Sequence, residues 1–133
     1  MKATATALRI FVGLDGLVLI ALGLLFWSGN ADALIPVHML LGIALVLALW
    51  ILAALAAVAG VNLGLVALAF VWGLVVPALG LTQERLLPGG AHWIIQVLHL
   101  LVGITAIALA QVLAVRIIGR RTKPSGARES YAG

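Results

Sequence analysis

The chain has 133 residues, the length of a single domain. Apolar residues make up 65% of it and charged residues only 9%, whereas soluble proteins average roughly 45–50% and 25%. A soluble fold is excluded, because so short a chain has too little interior to remove that many apolar side chains from water. The lack of cysteine excludes disulfides, thiolate metal sites, iron–sulfur clusters and thiol nucleophiles. The composition therefore predicts a small integral membrane protein.

Four apolar stretches are each long enough for a membrane-spanning helix, which needs about 20 residues. They cover residues 8–27, 34–58, 61–81 and 93–118. Their apolar runs are continuous, whereas strands of a membrane β-barrel alternate apolar and polar residues. We therefore expect an all-α integral membrane four-helix bundle formed by residues 1–119. A basic, disordered cytoplasmic tail is expected at residues 120–133.

The start of the chain resembles a signal peptide. It has a basic end, an apolar run and the cleavage-like sequence Ala31-Asp32-Ala33. Asp15 interrupts the apolar run, however, and the run has full transmembrane length. We therefore expect the first helix to be retained as part of the fold.

Lysine and arginine residues lie almost entirely on one side of the predicted spans. Arg85 is in the loop between the third and fourth spans. The others flank the two chain ends: Lys2, Arg9, Arg116, Arg120, Arg121, Lys123 and Arg128. Basic segments stay on the cytoplasmic side, and four spans bring both ends to one side. We therefore expect an inner-membrane protein with cytoplasmic termini, whose net charge of +4 indicates topology and no nucleic-acid partner.

The second and fourth spans share a short repeat. The segment VHMLLGIA in the second span matches LHLLVGIT in the fourth at an offset of 61 residues. His38 and Gly42 thereby coincide with His99 and Gly103, in a chain that has only three histidines. The repeat predicts two tandem helical hairpins related by a pseudo-twofold axis along the membrane normal.

This repeat places two imidazoles at a similar depth on two parallel helices. Ionisable residues inside a membrane are costly, so a functional role is the first hypothesis for them. In each helix the glycine lies one turn beyond the histidine on the same face. A flat macrocycle needs such a bare patch beside its ligand. The pattern suits a haem b with its iron between His38 and His99, its ring edges against Gly42 and Gly103, and its propionates towards the outer surface.

These four residues resemble the haem sites of four-helix membrane cytochromes b, which hold haem between paired histidines beside glycines that let the helices approach the ring. The resemblance is limited to His38, Gly42, His99 and Gly103. It implies electron transfer, with quinol or a neighbouring redox subunit as partner. Respiratory members have two histidine pairs, one near each membrane face, whereas this chain has one. The resemblance therefore implies a relay on the outer side of the membrane.

Other interpretations of the histidine pair stay open. Near the outer interface, two histidines can bond to each other, to water or to backbone carbonyls, with the glycines serving helix packing. The chain would then be a non-catalytic membrane subunit or an assembly factor. The pair also suits another metal ion or a proton pathway, and the magnesium of a chlorophyll-type ring needs only one histidine.

Two further polar residues of the fourth span are candidates for proton or quinone contacts. His92 and Gln96 precede His99 on one helix face, at intervals of four and three residues. The alternative for His92 is a solvated histidine at the interface. For Gln96 the alternative is a plain interhelical hydrogen bond.

Asp15 is the only acidic residue well inside a predicted span. An ion pair or hydrogen-bonded network with Gln111 or Arg116 is one explanation for it. A proton or quinone contact is another, and a small proton-coupled transporter that uses Asp15 is a third hypothesis for the whole chain.

Motifs of hydrolytic and phosphoryl-transfer enzymes are missing from the sequence, which has no phosphate-binding loop, nucleophile triad, zinc motif or carboxylate pair. Both lysines lie outside the spans, which excludes a retinal Schiff base. We therefore expect an electron carrier or subunit rather than a stand-alone enzyme, with oligomerisation an open question.

Overall fold

The computed structural model describes residues 1–120, and every regular element in this part of the chain is helical. The four α-helices are α1 (Lys2–Trp27), α2 (Ile35–Val58), α3 (Leu63–Thr82) and α4 (His92–Gly119). Short 3₁₀ turns precede α2 at Asp32–Leu34 and follow α3 at Gln83–Arg85. The predicted all-α, four-helix architecture is thus confirmed for residues 1–120. The predicted tail, beyond Arg120, lies outside the described residues.

All four helices are long and apolar enough to cross a membrane. They contain 20 to 28 residues, or about 30–42 Å at 1.5 Å per residue. Large apolar side chains point outwards from each of them, as Leu14, Leu40, Leu74 and Leu101 illustrate. Small residues fill much of the interior, including Ala5, Ala53, Ala56, Ala69, Ala106 and Ala114. This distribution is typical of helices that pack closely within a bilayer.

α2 and α4 form the centre of the bundle. Each contacts the other, and each also contacts α1 and α3. The two central helices run in the same direction, because His38 and His99 are neighbours near their starts and Arg120, just after α4, reaches Ala59, just after α2. α1 is antiparallel to α4, since Gly13 lies beside the Gln111 side chain.

The α2–α3 turn closes the end of the bundle that carries both chain ends. Gly60 adopts φ +72° in this turn, a conformation that glycine enters without steric cost. The Asn62 side chain caps α3 by accepting a hydrogen bond from the Leu65 amide at 3.2 Å. The Arg120 guanidinium donates to the Ala59 carbonyl at 2.8 Å and ties the end of α4 to the turn.

α1 begins six residues before the apolar stretch that predicted it. Ala5 is completely buried, so the first turns of this helix belong to the core. The Thr6 hydroxyl donates to the Lys2 carbonyl at 3.0 Å. α1 thus extends, through a turn that contains polar residues, beyond the apolar stretch from which it was predicted.

Two tryptophans in the middle of the bundle join neighbouring helices. The Trp50 indole N–H donates to the Phe70 carbonyl at 3.2 Å, and the Trp50 and Phe70 rings stack. Gly73 makes room for this indole, since a Cβ there would run into it. The Trp72 indole N–H donates to the Val102 carbonyl at 2.9 Å. Both tryptophans therefore have a packing role with a satisfied indole.

The tightly packed core lies in the half of the bundle next to the α2–α3 turn. On α2 the buried residues begin at Leu45, and none of residues 35–44 is buried. On α4 most of the buried residues fall between Ala106 and Ile117. The opposite half, where α2 and α4 begin, is packed more loosely, and it contains the two matched histidines.

Candidate functional site

The four helices each contribute one residue to a layer that contains the two matched histidines. His38 is the fourth residue of α2 and His99 the eighth residue of α4. Their ring centroids are 6.3 Å apart and their planes are inclined by 47°. Phe26 of α1 contacts the His38 ring edge-on, at a centroid distance of 5.5 Å. Gly80 of α3 lies against His99, where an added Cβ would be 3.2 Å from its Cε1. We call these four residues the histidine site.

The start of α2 sets the position of His38. The 3₁₀ turn at Asp32–Leu34 leads into the helix, and Pro36 occupies its first turn. Proline is tolerated there because the first backbone N–H groups of a helix lack partners within it. His38 is therefore fixed on the first turn, close to the end of α1 that carries Phe26.

The buried ring nitrogens of the site lack partners. His38 and His99 are both half-buried, and within residues 1–120 neither Nδ1 atom has a hydrogen-bond partner. A buried polar atom without a partner costs about 1–3 kcal/mol. Within residues 1–120, no protein hydrogen bond therefore offsets the cost of burying these two Nδ1 atoms.

The separation of the rings suits a single metal centre between them. Two imidazoles that ligate one metal ion from opposite sides, each at about 2.0 Å, have ring centroids roughly 6 Å apart. The observed distance is 6.3 Å. Within residues 1–120 no group of three or more histidine, aspartate or glutamate residues could hold a metal ion. The histidine pair therefore offers two candidate ligands, fewer than the three or four protein ligands of a zinc site.

Gly42 and Gly103 are not packing glycines. An added Cβ at either one would meet no heavy atom of residues 1–120 within 4 Å. At Gly16 and Gly73, in contrast, an added Cβ would collide with a side chain of the neighbouring helix. No neighbouring helix of residues 1–120 therefore packs closely against Gly42 or Gly103 at its Cα. Both glycines leave free space one turn beyond the histidines, as the edge of a macrocycle would require.

His92 and Gln96 lie on the outer side of the site. The His92 Nδ1 atom is 3.2 Å from the Leu86 carbonyl oxygen, so this side chain joins the start of α4 to the preceding loop. His92 is seven residues, about 10 Å along the helix, from His99. Gln96 is half-buried on the same face of α4, one turn from His99. His92 is therefore separate from the histidine pair, whereas Gln96 lies next to His99 along α4.

Asp15 is separate from the histidine site. It lies eleven residues before Phe26 on α1, or about 16 Å along the helix. The residue is only 5% exposed, and within residues 1–120 neither carboxyl oxygen has a hydrogen-bond partner. Arg9 instead donates from Nε to the Gln111 side-chain oxygen at 3.1 Å, and the Gln111 amide donates to the Arg9 carbonyl at 2.9 Å. Within residues 1–120, the hydrogen-bonded network expected for Asp15 with Gln111 or Arg116 is therefore missing, and Gln111 pairs with Arg9 instead.

Phe26 and Gly80 are parts of the site that the sequence analysis did not identify. Both lie on the helix that precedes a histidine-bearing helix in the chain. Two antiparallel helices joined by a short loop place residues at similar distances from the loop side by side. Counting back from His38 across the α1–α2 loop leads close to Phe26. Gly80 could not be found in this way, because it is the third residue from the end of α3 whereas His99 is the eighth residue of α4.

Comparisons with protein-family models, with curated proteins and with solved structures give no match.

Proposed function

We propose that the chain is an integral protein of the inner membrane, with both termini on the cytoplasmic side. Four long apolar helices support insertion, as do the outward-facing leucines and the alanine-rich interior. The clustering of basic residues at the chain ends supports the orientation. The helix contacts support two hairpins, α1–α2 and α3–α4, related by a pseudo-twofold axis. Such an axis exchanges the α1–α2 contact with α3–α4 and the α2–α3 contact with α1–α4, and all four contacts are present.

We further propose that this protein binds haem b and transfers electrons on the outer side of the membrane. His38 and His99 are the axial ligands in this proposal. The observation that carries it is the 6.3 Å between their ring centroids, on two helices that the sequence repeat makes equivalent. The free space at Gly42 and Gly103 supports it further.

The chain's own residues have distinct parts in this function. Bound haem supplies a one-electron couple. His38 and His99 would hold the haem iron, and two protein ligands to one iron would favour electron transfer over oxygen chemistry. Phe26 and Gly80 restrict the orientation of the two rings, because the first lies against His38 and the second against His99.

Access for a redox partner is proposed from the outer side. His92 and Gln96 lie between the histidine pair and the outer loops, on the same face of α4 as His99. We propose that quinol or a neighbouring redox subunit approaches there, with His92 accepting a proton or Gln96 accepting a hydrogen bond from it.

An absorption spectrum tests the haem proposal. The protein is expressed with ample haem, purified in detergent and measured oxidised and then reduced with dithionite. We expect a Soret band that shifts on reduction and a sharp α-band, both lost in His38→Ala and His99→Ala. His92→Ala is the matched control and should keep them. A folded but colourless wild-type protein would contradict the proposal and favour a subunit or assembly factor with structural histidines.

A second candidate function is proton-coupled transport through Asp15. The buried carboxyl group without a partner in residues 1–120 is the observation that favours it. Proton flux into liposomes containing the protein, followed with an internal pH-sensitive dye, tests it. Flux that is lost in Asp15→Asn would support transport, and equal flux in the two proteins would contradict it.

A further inference from the structure

A groove runs between α1 and α4 on the outside of the bundle, towards the chain ends. Its α1 side consists of Arg9, Ile10 and Leu14, with Gly13 between them, and Gln111 forms its α4 side. The volume is about 450 Å³, within the range of small-molecule sites, roughly 300–1,000 Å³. Gly13 keeps the groove open, since a Cβ there would already be 3.6 Å from the Gln111 amide nitrogen.

A second groove continues from Gln111 along α4. It has a volume of about 250 Å³ and is formed by Gln111, Val112, Val115 and Arg116. The two grooves share Gln111, and all residues of the second groove lie on α4. We call them together the α1–α4 groove. Its walls are apolar apart from an arginine on each helix, Gln111 and Thr6, and none of its residues is acidic.

The two arginines lie at a similar depth. α1 and α4 are antiparallel with Gly13 beside Gln111, which places Arg9, four residues earlier, at about the level of Val115 and Arg116. Arg116 is four residues, about 6 Å along the helix, from Arg120. Arg120 contacts the α2–α3 turn at Ala59. Both guanidinium groups are therefore about one helical turn inside the end of the bundle, where phosphate groups of a cytoplasmic leaflet would lie.

Gln111 holds the Arg9 side chain in place. Its oxygen accepts from Arg9 Nε at 3.1 Å, and its amide donates to the Arg9 carbonyl at 2.9 Å. This bond uses one of the five N–H donors of the guanidinium group. Arginine binds phosphate through paired N–H donors, and an arginine fixed in advance loses less side-chain entropy on binding.

We propose that the α1–α4 groove binds an anionic phospholipid of the cytoplasmic leaflet. Its phosphate contacts Arg9 and Arg116, and an acyl chain lies along Leu14 and Val112. Charge complementarity identifies the occupant, because basic pockets between helices on this side of a membrane bind anionic headgroups. The inference rests on the proposed membrane insertion and is independent of the haem.

Lipid titration of the purified protein tests this site. Binding of phosphatidylglycerol and phosphatidylcholine is measured by native mass spectrometry for the wild type, Arg9→Gln, Arg116→Gln and the double variant. We expect the wild type to prefer phosphatidylglycerol and each substitution to lower this preference about five-fold. Gly13→Leu should lower it without a change of charge, because the new side chain fills the groove. Arg85→Gln removes one exposed arginine at the other end of the bundle and should have no effect.

Three outcomes of the lipid titration would overturn the lipid site. They are a wild type without preference for phosphatidylglycerol, a double variant that keeps the preference, and a loss in Arg85→Gln as large as in Arg116→Gln. Glycerol phosphate that binds as tightly as the lipid would also overturn it, because it lacks acyl chains. If Arg9→Gln fails to fold, the preference of Arg116→Gln for phosphatidylglycerol decides whether the site exists. The absorption spectrum of the same samples reports on haem separately, and extraction of the protein without detergent would contradict membrane insertion itself.

Discussion

His38 and His99 are 61 residues apart in the chain, yet their imidazole centroids are 6.3 Å apart. The contact is made by the two central helices, α2 and α4, close to their first turns. Phe26 and Gly80 lie against the two rings from opposite helices. All four helices therefore determine the distance between the two imidazoles, and this distance is the geometric basis of the proposed haem site.

Replacing the two site glycines should separate haem binding from stability. In Gly42→Leu and Gly103→Leu the new side chain enters free space, so unfolding in detergent should need at least as much denaturant as in the wild type. Helix propensity even favours the change by up to about 1 kcal/mol per site. The same side chains would occupy the place of the ring edge. We expect haem affinity, measured by titration, to fall at least ten-fold.

Gly119 supplies the control for this pair, since an added Cβ there also meets no heavy atom of residues 1–120 within 4 Å and the residue ends α4, far from His99. Gly119→Leu should leave haem affinity unchanged. Affinity that survives in both Gly42→Leu and Gly103→Leu would show that no macrocycle lies against these glycines.

Gly73→Ala should destabilise the bundle. The added Cβ would collide with the Trp50 indole, which donates to the Phe70 carbonyl. Overpacking of this kind costs about 1–3 kcal/mol, measurable as a lower midpoint of unfolding by helical circular dichroism. Gly23→Ala is the matched control and should not be destabilised. A Gly73→Ala protein as stable as the wild type would place the Trp50 indole elsewhere.

Asp15→Leu should make the protein more stable. Within residues 1–120 the buried carboxyl group has no partner to lose, and a buried polar group without a partner costs about 1–3 kcal/mol. The expected result is a higher midpoint of unfolding in detergent, with Asp15→Asn close to the wild type. A midpoint that falls in both variants would reveal a partner for Asp15.

Cysteine labelling should reveal the topology, because the wild-type chain has no cysteine of its own. Ala33, Glu84 and Lys2 are exposed near the helix ends. We expect a membrane-impermeant maleimide to label Ala33→Cys and Glu84→Cys in intact cells, and Lys2→Cys only after permeabilisation. The reverse pattern would place both termini outside and overturn the proposed orientation.

Continuous apolar runs were sufficient to predict the number of helices, and the repeat was sufficient to relate His38 to His99. The repeat worked because a histidine is costly in an apolar helix, so a matched pair carries information that leucines do not. It also placed both residues on helices of the same direction, which allows them to meet at one level.

The lack of a partner for Asp15 within residues 1–120 and the contacts of Phe26 and Gly80 could not be predicted in the same way. A helix that is apolar on every side has no polar face to show how it is rotated. In this bundle alanine and glycine mark the buried faces, as at Ala53 and Gly73. The direction of Asp15 thus depended on the packing of α1 against its neighbours, which hydropathy does not record.

Electron paramagnetic resonance of the oxidised, haem-loaded protein tests the central claim most directly, because the spin state of the iron reports the number of strong axial ligands. We predict a low-spin ferric signal for the wild type, with one haem per chain. A high-spin signal or loss of haem is predicted for His38→Ala and for His99→Ala. A high-spin wild type, or a low-spin signal that persists without either histidine, would contradict a haem held between His38 and His99.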